Sequence, residues 1–388
     1  MNADSRKTAM TTAQLRNKEI CVGIKELPHE LQLHIISFLL QRSLSRVVLC
    51  KRLEVKSPVS TVAFSPDSKT IVTGSENTQE SRLFSKAACL WSLTTGELLK
   101  TFMEETDAIS SVAFDPEGEV ILMGTPVVMK SPDTTACIKD SKTGELLYTF
   151  KGHTDRINSV AWSSDGKRIL TGSHDATARI WDSKTVELLR TITGHRGGVT
   201  AVAWSPDGET VLAGCDDEVA YLWSSTTGEF LQAFTEHQDI ITAVAFSPQG
   251  ESFLTASADQ TACLWSSTTR KLLYTLTEHT DVVTSVAYSL DGGIILTGSA
   301  DTTACLWNSN TGELLTTLKG HTDSICSVAF SSDGGAFITG SNDTTVCLWN
   351  FLSGFDDLTE EQKRKCLKLF MDYYPLLLDE GESRDRAG

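Results

Sequence analysis

One aromatic position recurs along most of the chain and divides it into units of about 42 residues. This position ends a segment resembling Ser-Val-Ala-Phe, and consecutive copies lie 50, 48, 42, 42, 42 and 42 residues apart. The seven copies are Phe64, Phe114, Trp162, Trp204, Phe246, Tyr288 and Phe330. A period of about 40–45 residues is typical of one four-stranded sheet in a ring of repeated sheets. The repeat therefore predicts seven such sheets.

Each unit has the pattern of four short strands separated by turn residues. In one unit we predict strands at Ile157–Trp162, Arg168–Ser173, Thr177–Trp181 and Glu187–Ile192. The first two are separated by Ser-Asp-Gly at 164–166, residue types that favour a tight turn. Short β-rich segments at this spacing predict an all-β fold.

The charge of the chain argues against nucleic acid as a partner. The net charge is -16, and residues 56–350 carry 36 Asp+Glu against 19 Lys+Arg, whereas residues 1–55 carry five against nine. A region as acidic as residues 56–350 repels the phosphates of nucleic acid, because proteins bind phosphates through Lys and Arg. No apolar stretch approaches the roughly 20 residues of a spanning helix, and no apolar signal-peptide core is found near the start. We expect a cytoplasmic monomer that binds neither nucleic acid nor membrane.

Five of the ten cysteines share one place in the repeat, two residues before a Trp or its replacement: Cys89, Cys137, Cys263, Cys305 and Cys347. No Cys-x-x-Cys pair exists, so the sequence gives no support for a zinc site or a redox motif. We interpret these residues as buried thiols of a protein in a reducing compartment.

The repeat resembles the WD-repeat β-propellers over about residues 46–350. Glycine–histidine pairs occur at 152–153, 194–195 and 320–321, and the Trp of the family recurs as Trp91, Trp181, Trp223, Trp265, Trp307 and Trp349. The resemblance implies a structural tetrad in each blade, consisting of a loop His, a second-strand Ser/Thr, a tight-turn Asp and a third-strand Trp.

Four complete tetrads follow from this resemblance. They are His153, Thr171, Asp175 and Trp181; His237, Thr255, Asp259 and Trp265; His279, Thr297, Asp301 and Trp307; and His321, Thr339, Asp343 and Trp349. A further unit has His195, Asp217 and Trp223 but carries Ala213 at the hydroxyl position, so we expect its network to be incomplete.

A histidine beside a hydroxyl and a carboxylate is also the composition of a hydrolytic triad. An enzyme needs one such site, whereas a repeated fold needs one per blade, so four copies at one period favour a structural role. The sequence contains no isolated nucleophile, metal cluster or Gly-rich phosphate loop. We therefore expect no catalytic residues, no cofactor and no metal, and thus not an enzyme.

The two ends of the repeat region are expected to meet. The last unit stops after its third strand at Trp349. Upstream of the first unit, Arg46–Val55 has the pattern of an additional β-strand. In the WD-repeat family such a strand usually completes the last blade, which leaves no exposed sheet edge. Strand direction then predicts that both flanking segments emerge on the face opposite the histidine loops.

The segment at 27–40 has an apolar stripe at helical spacing, with Pro28 suited to the first turn. It resembles the opening of an F-box, the module that recruits the adaptor of cullin-RING ubiquitin ligases. The matching positions are Leu27, Pro28, Glu30, Leu31, Ile35, Phe38 and Leu39. Only the first third of an F-box precedes the closing strand, so a helix that merely caps the propeller is the alternative.

The other flank has a capping box at Thr359 and Gln362, followed by an apolar stripe of Leu367, Phe370, Met371 and Tyr374. We predict that this helix packs with the N-terminal one. The predicted organisation is a disordered tail at 1–24, an F-box-like helix at 25–45, the propeller at 46–350, a helical segment at 351–378 and a disordered tail at 379–388.

In WD-repeat proteins the face that carries the histidine loops is the usual interaction surface. Carried over residue by residue, the resemblance implies a target-binding face that includes Arg156, Asn158, His174, Asp216, Ile240 and Val282. Units one and two add longer loops at 76–85 and 124–133, and unit two carries Met123 and Lys139 at its tetrad positions. These loops either arose by neutral drift or form a recognition surface beside Arg156. Phosphopeptide binding would need several converging arginines, and the single Arg found here supports it only weakly.

Two functions follow as hypotheses. The first is a substrate receptor of an F-box-type ubiquitin ligase, with the adaptor bound by the N-terminal helix and an unknown target protein on the histidine-loop face. The second is a generic WD-repeat scaffold whose terminal helices cap the propeller or bind another partner. The similarity among the last units leaves open a bacterial protein that acts in a host cytoplasm.

Overall fold

The computed structural model describes residues 47–55, 57–75, 87–103, 109–124 and 134–351. These residues form 28 strands in seven four-stranded antiparallel sheets, which confirms the predicted all-β, seven-bladed propeller. The predicted tails and terminal helices lie outside the described residues, as do most of the two long loops. Within the part of the chain that is described, no helix has the length and apolar character needed to cross a membrane.

The strands follow one another blade by blade. Blade 1 contains β2 (Val59–Phe64), β3 (Thr70–Ser75), β4 (Ala87–Ser92) and β5 (Leu98–Met103). Blade 2 contains β6 (Ser111–Phe114), β7 (Val120–Gly124), β8 (Thr135–Asp140) and β9 (Leu146–Lys151). Blade 3 contains β10 (Ile157–Trp162), β11 (Arg168–Ser173), β12 (Ala178–Asp182) and β13 (Leu188–Ile192). Blade 4 contains β14 (Val199–Trp204), β15 (Thr210–Cys215), β16 (Ala220–Ser224) and β17 (Phe230–Phe234).

The remaining blades repeat this order, except that the last borrows its outer strand. Blade 5 contains β18 (Ile241–Phe246), β19 (Ser252–Ser257), β20 (Ala262–Ser266) and β21 (Leu272–Leu276). Blade 6 contains β22 (Val283–Tyr288), β23 (Ile294–Ser299), β24 (Thr303–Asn308) and β25 (Leu314–Lys319). Blade 7 contains β26 (Ile325–Phe330), β27 (Ala336–Ser341), β28 (Thr345–Phe351) and β1 (Val47–Glu54), with β1 paired to β28.

The closing strand β1 behaves as a true outer strand. Leu53 is buried in a cluster that also contains Trp91 of blade 1 and Val346 of blade 7. On the outer wall, the Lys51 ammonium donates to the Leu93 carbonyl at 3.3 Å, in the neighbouring blade. Lys51 also lies 3.4 Å from the Thr94 carbonyl, and Lys100 makes the equivalent contact from blade 1 to the Lys142 carbonyl of blade 2, at 3.1 Å. The predicted closure by the N-terminal segment is therefore confirmed, and it repeats the contacts of a regular blade junction.

A ring of polar side chains joins the innermost strands. In each of six blades, a buried apolar residue lies at or just before the start of the first strand. The side chain of the residue after it donates to a backbone carbonyl of the next blade. The donors are Ser60, Ser110, Asn158, Thr200, Thr242 and Thr284. The seventh position holds Cys326, whose thiol lies 3.2 Å from Asn342 Oδ1 in its own blade. We call this ring the inner belt; it ties six blade junctions together.

A β-bulge makes the inner belt possible. In blade 3, Ile157 is paired with Ser173 and Ser159 with Gly172, so Asn158 is an extra residue without a partner in the ladder. A bulged residue is free to aim its side chain away from the sheet. The Asn158 amide uses this freedom to reach the carbonyl of Val199 at 2.8 Å.

Candidate protein-interaction face

Four blades contain a continuous chain of hydrogen bonds from indole to carboxylate. In blade 3, Trp181 Nε1 donates to Thr171 Oγ1 at 3.0 Å, His153 Nε2 lies 2.7 Å from the same oxygen, and His153 Nδ1 lies 2.8 Å from Asp175 Oδ2. The equivalent distances, in the same order, are 3.0, 2.8 and 2.8 Å in blade 5, 3.0, 2.7 and 2.9 Å in blade 6, and 3.0, 2.8 and 2.9 Å in blade 7. The structure thus brings together all sixteen side chains assigned to complete tetrads.

The direction of each bond follows from its acceptors. An ionised carboxylate only accepts, so His153 Nδ1–H donates to Asp175, and Nε2 is left to accept the hydroxyl proton of Thr171. The hydroxyl oxygen in turn accepts the indole proton of Trp181. The indole nitrogen, the hydroxyl and both imidazole nitrogens of this network then each have a hydrogen-bond partner, which is the condition for burying them.

These bonds hold the tight-turn carboxylates in their charged form. Burial by itself raises the pKa of Asp175, but hydrogen bonds from His153, Thr177 and the amide of Thr154 outweigh it and hold the pKa well below 3.8. The pKa values of Asp259, Asp301 and Asp343 are lowered in the same way, against burial. The histidine of blade 7 shows the opposite balance, since burial lowers the pKa of His321 below 6.5.

We expect the free energy of unfolding to fall in two stages as the pH is lowered. Below pH 6.5 the unfolded chain protonates His195 and His321, whose folded pKa values are lowered by burial, so protonation favours unfolding. Below pH 3.8 the tetrad carboxylates add a steeper loss, because their folded pKa values lie beneath the unfolded one. Urea titrations between pH 7 and pH 3 measure this. A stability that is constant from pH 7 to pH 4 would contradict the first stage.

Hydrogen bonds around the tetrads hold the loops that form the histidine-loop face. Asp175 Oδ2 accepts the amide of Thr154 at 3.0 Å, and Ser173 Oγ donates to the carbonyl of Asp155 at 2.9 Å. The amide of His174 then donates to the carbonyl of Arg156 at 2.9 Å, which sets the two residues side by side. The same backbone bond recurs in the next four blades, joining 216 to 198, 258 to 240, 300 to 282 and 342 to 324. In blades 3 to 7 the face therefore presents one hydrogen-bonded pair of positions per blade.

The structure separates the residues assigned to the target-binding face into two groups. Arg156 and His174 are exposed, Ile240 is 40% exposed, and Asp216 and Val282 are half-buried. Asn158 differs, because its side-chain amide is engaged in the inner belt and points to the neighbouring blade. The displayed part of the face is therefore charged near blades 3 and 4 and apolar near blades 5 and 6.

Two glycines open the charged part of this face. Gly197 and Gly198 stand where the other complete blades have Asp and a second side chain, such as Asp155 and Arg156. A Cβ on Gly197 would lie 1.9 Å from Asp216 Oδ1, and a Cβ on Gly198 would lie 2.4 Å from His174 Nδ1. The pair of glycines therefore makes room for His174 and Asp216, whose Nδ1 and Oδ2 atoms lie 3.5 Å apart.

Blade 4, on the edge of this charged part, has lost its tetrad. Its histidine, His195, bonds through Nδ1 to the carbonyl of Ala176 at 3.1 Å instead of to a carboxylate. The carboxylate of Asp217 is taken by the hydroxyl of Tyr221, which donates to it at 2.6 Å.

The indole of the same blade is affected as well. Ala213 supplies no hydroxyl, and Trp223 Nε1 and His195 Nε2 are buried without a hydrogen-bond partner among the described residues. The network is thus incomplete in blade 4, and the sequence change at Ala213 accounts for the loss.

The buried thiols are unsuited to act as nucleophiles. Burial raises the pKa of Cys263 and of Cys305 to about 12, and it also raises the pKa of Cys347. A nucleophilic cysteine needs the thiolate, which these surroundings disfavour. Among the residues whose positions are known, no group of His, Cys, Asp or Glu is arranged to hold a metal ion.

Comparison with known protein families agrees with this geometry. The family described as WD domain, G-beta repeat matches residues 49–79, 144–182, 186–224, 228–266, 270–308 and 312–350, which together are more than half of the chain. The interval 80–143 between the first two matches contains residues 80–85 of the first long loop, the whole of the second, and the Met123 and Lys139 replacements. No curated protein matches the chain. The chain belongs to the WD40 family, and its seven-bladed propeller is a protein-interaction scaffold.

Proposed function

We propose that this propeller is the substrate receptor of an F-box-type cullin-RING ubiquitin ligase. Residues 27–39 recruit the adaptor, and the histidine-loop face binds the target protein. The chain itself catalyses nothing. It acts as a monomer in the cytoplasm and raises the effective concentration of the target near the ligase.

The main support for target binding is the charged part of the histidine-loop face. Arg156, His174 and Asp216 are held by hydrogen-bonded loops, and Gly197 and Gly198 leave room for the side chains of Asp216 and His174. Rigid loops lose little conformational entropy on binding, which favours affinity. The neighbouring apolar positions, such as Ile240, supply contact area beside the charges.

The adaptor half rests on the sequence of the N-terminal segment. Leu27, Leu31, Ile35, Phe38 and Leu39 place apolar side chains at helical spacing, and Pro28 and Glu30 complete the match to the start of an F-box. This segment lies outside the described residues, so the support is the motif alone.

Reconstitution of the ligase tests this proposal. We expect the purified chain, mixed with adaptor, cullin, RING subunit and ubiquitin-charged E2, to be ubiquitylated on its own lysines. A Leu31→Arg, Ile35→Arg double variant should lose this modification. The matched control is His29→Arg, Ser37→Arg, which adds the same charge off the apolar stripe and should keep it. Equal modification of both variants, or none of the wild-type chain, would leave a scaffold with another partner.

A further inference from the structure

The junction between blades 3 and 4 contains an arginine that contacts both blades. It lies at the face opposite the histidine loops, where the first and second strands of each blade are joined. The Arg168 guanidinium carbon lies 4.6 Å from the ring centre of Trp204. Arg168 also donates to the Gly208 carbonyl at 3.0 Å and lies 3.4 Å from Ser225 Oγ. The fold therefore has, at this junction, a ready set of partners for one guanidinium: an aromatic face, a carbonyl and a hydroxyl.

The junction between blades 1 and 2 has the same set of partners without the arginine. In the repeat, Phe114, Gly118 and Ser141 are the counterparts of Trp204, Gly208 and Ser225, and Thr70 is the counterpart of Arg168. These four residues line an open groove of about 850 Å³. That volume lies within the range of sites that accept ligands.

The details of the partners are preserved as well. Ser141 Oγ donates to the Gly118 carbonyl at 3.0 Å, as Ser225 Oγ does to the Gly208 carbonyl at 2.6 Å. The Gly208 carbonyl accepts the serine and Arg168 at once, which shows that a carbonyl in this position has capacity for a guanidinium. Gly118 offers the same second lone pair.

The junction between blades 5 and 6 has a smaller groove at the same place. Between blades 5 and 6, the corresponding groove is about 410 Å³, less than half as large. There the hydroxyl of Tyr288 lies 3.0 Å from Ser252 Oγ, so side chains of the two blades occupy part of the space. Among the described residues, neither an arginine nor a tyrosine occupies this space in the groove between blades 1 and 2, because Thr70 is short and Phe114 has no hydroxyl.

The charges around the groove favour a cation. Asp67, Glu117 and Glu119 line it, against Lys100 and Lys142. The ammonium of Lys100 is engaged with the carbonyls of Lys142 and Thr143. The propeller region as a whole is strongly acidic, with 36 Asp+Glu against 19 Lys+Arg over residues 56–350. Both the local and the overall field therefore draw a basic partner toward the surface.

We propose that the groove between blades 1 and 2 is a docking site for an arginine side chain of a partner protein, which stacks on Phe114 and donates to the Gly118 carbonyl and Ser141. Arg168 provides the internal template for this binding mode. The site lies away from the histidine loops, so it is independent of the proposed target face and is tested separately from it.

A peptide titration of the full-length chain tests this assignment. The probe is acetyl-Ala-Arg-Ala-amide, and the readout is the amide chemical shifts of Gly118 and Ser141. We expect saturable shifts with a Kd of about 1 mM, and binding at least tenfold weaker for the matched lysine peptide. No saturation by about 10 mM, or equal binding of the two peptides, would overturn the proposal. Binding of free L-arginine without binding of the capped peptide would also overturn it, since the partner would then not be a protein.

Three variants locate the site. Thr70→Arg should place the chain's own arginine in the groove and abolish the shifts, and binding that persists in a folded Thr70→Arg variant would overturn the assignment. Glu119→Lys changes an exposed side chain and should weaken binding at least threefold through charge, which decides the question if Thr70→Arg does not fold. Arg168→Thr is the matched gain of function: it should open the groove between blades 3 and 4, so that the arginine peptide also shifts Gly208 and Ser225.

Discussion

Replacing Leu53 with aspartate should lower the free energy of unfolding by about 4 kcal/mol. Leu53 lies on the closing strand and is only 4% exposed, in one apolar cluster with Trp91 of blade 1 and Val346 of blade 7. The substitution removes an apolar side chain from this cluster and places a carboxyl group there without a partner. Because the cluster joins the first and last blades, we expect the ring to lose its closure cooperatively.

Urea denaturation followed by tryptophan fluorescence measures the effect of Leu53→Asp. Leu53→Ala is a milder form, expected to cost about 3 kcal/mol through the cavity alone. The control is Glu54→Ala on the same strand, an exposed position that should change stability by less than about 0.5 kcal/mol. Equal effects of the substitutions at 53 and 54 would show that the strand does not close the propeller.

The second large effect is expected inside a tetrad. Replacing Thr297 with valine should cost about 3 kcal/mol, since it keeps the volume but removes the hydroxyl that links two rings. Trp307 Nε1 donates to Thr297 Oγ1 at 3.0 Å, and His279 Nε2 lies 2.7 Å from it. Both nitrogen atoms would be left unsatisfied around a side chain with no exposure to solvent.

Blade 4 supplies the opposite experiment at the equivalent position. Ala213→Thr should raise the free energy of unfolding by about 1 kcal/mol, because Trp223 Nε1 has no hydrogen-bond partner there among the described residues. Equilibrium denaturation of both variants beside the wild-type chain measures the pair. Thr297→Val without effect, or Ala213→Thr that destabilises, would mean that the hydroxyl does not carry the network energy assigned to it.

The fold could be predicted because its determinants repeat. The aromatic position of Trp162 and Trp204 recurs at a fixed period, so the strands of one unit predict those of the others. The additional strand at 46–55 can complete only one sheet, that of blade 7, because the last unit has three strands of its own. The loss at Ala213 was also visible, since a hydroxyl is absent from one copy of an otherwise regular pattern. Periodicity therefore carries both the architecture and its local exceptions.

Features that depend on the packing between blades were not predicted. Asn158 was assigned to the target-binding face from its place after the loop histidine, but a bulge turns its side chain toward Val199 in the next blade. The inner belt could have been suspected from Ser, Asn or Thr at one position in six units. The relation between Arg168 and Thr70 needs three-dimensional information, because each side chain acts on the neighbouring blade and not on its own.

The two glycines of blade 4 could be predicted only in part from the sequence. Gly197 and Gly198 depart visibly from the Asp-containing loops of the other blades, which signals a local change. Only the structure shows that the change accommodates Asp216 and His174, because the close approaches involve atoms from two different blades.

The most direct test of the proposed receptor function is a calorimetric titration of the full-length chain with the F-box adaptor. The account predicts a Kd of about 1 μM or tighter, abolished in the Leu31→Arg, Ile35→Arg variant and retained in the His29→Arg, Ser37→Arg control. The propeller signal in circular dichroism should be the same in all three proteins. An absence of heat for the wild-type chain, or equal affinity for the stripe variant and its control, would contradict recruitment by the apolar stripe at 27–39.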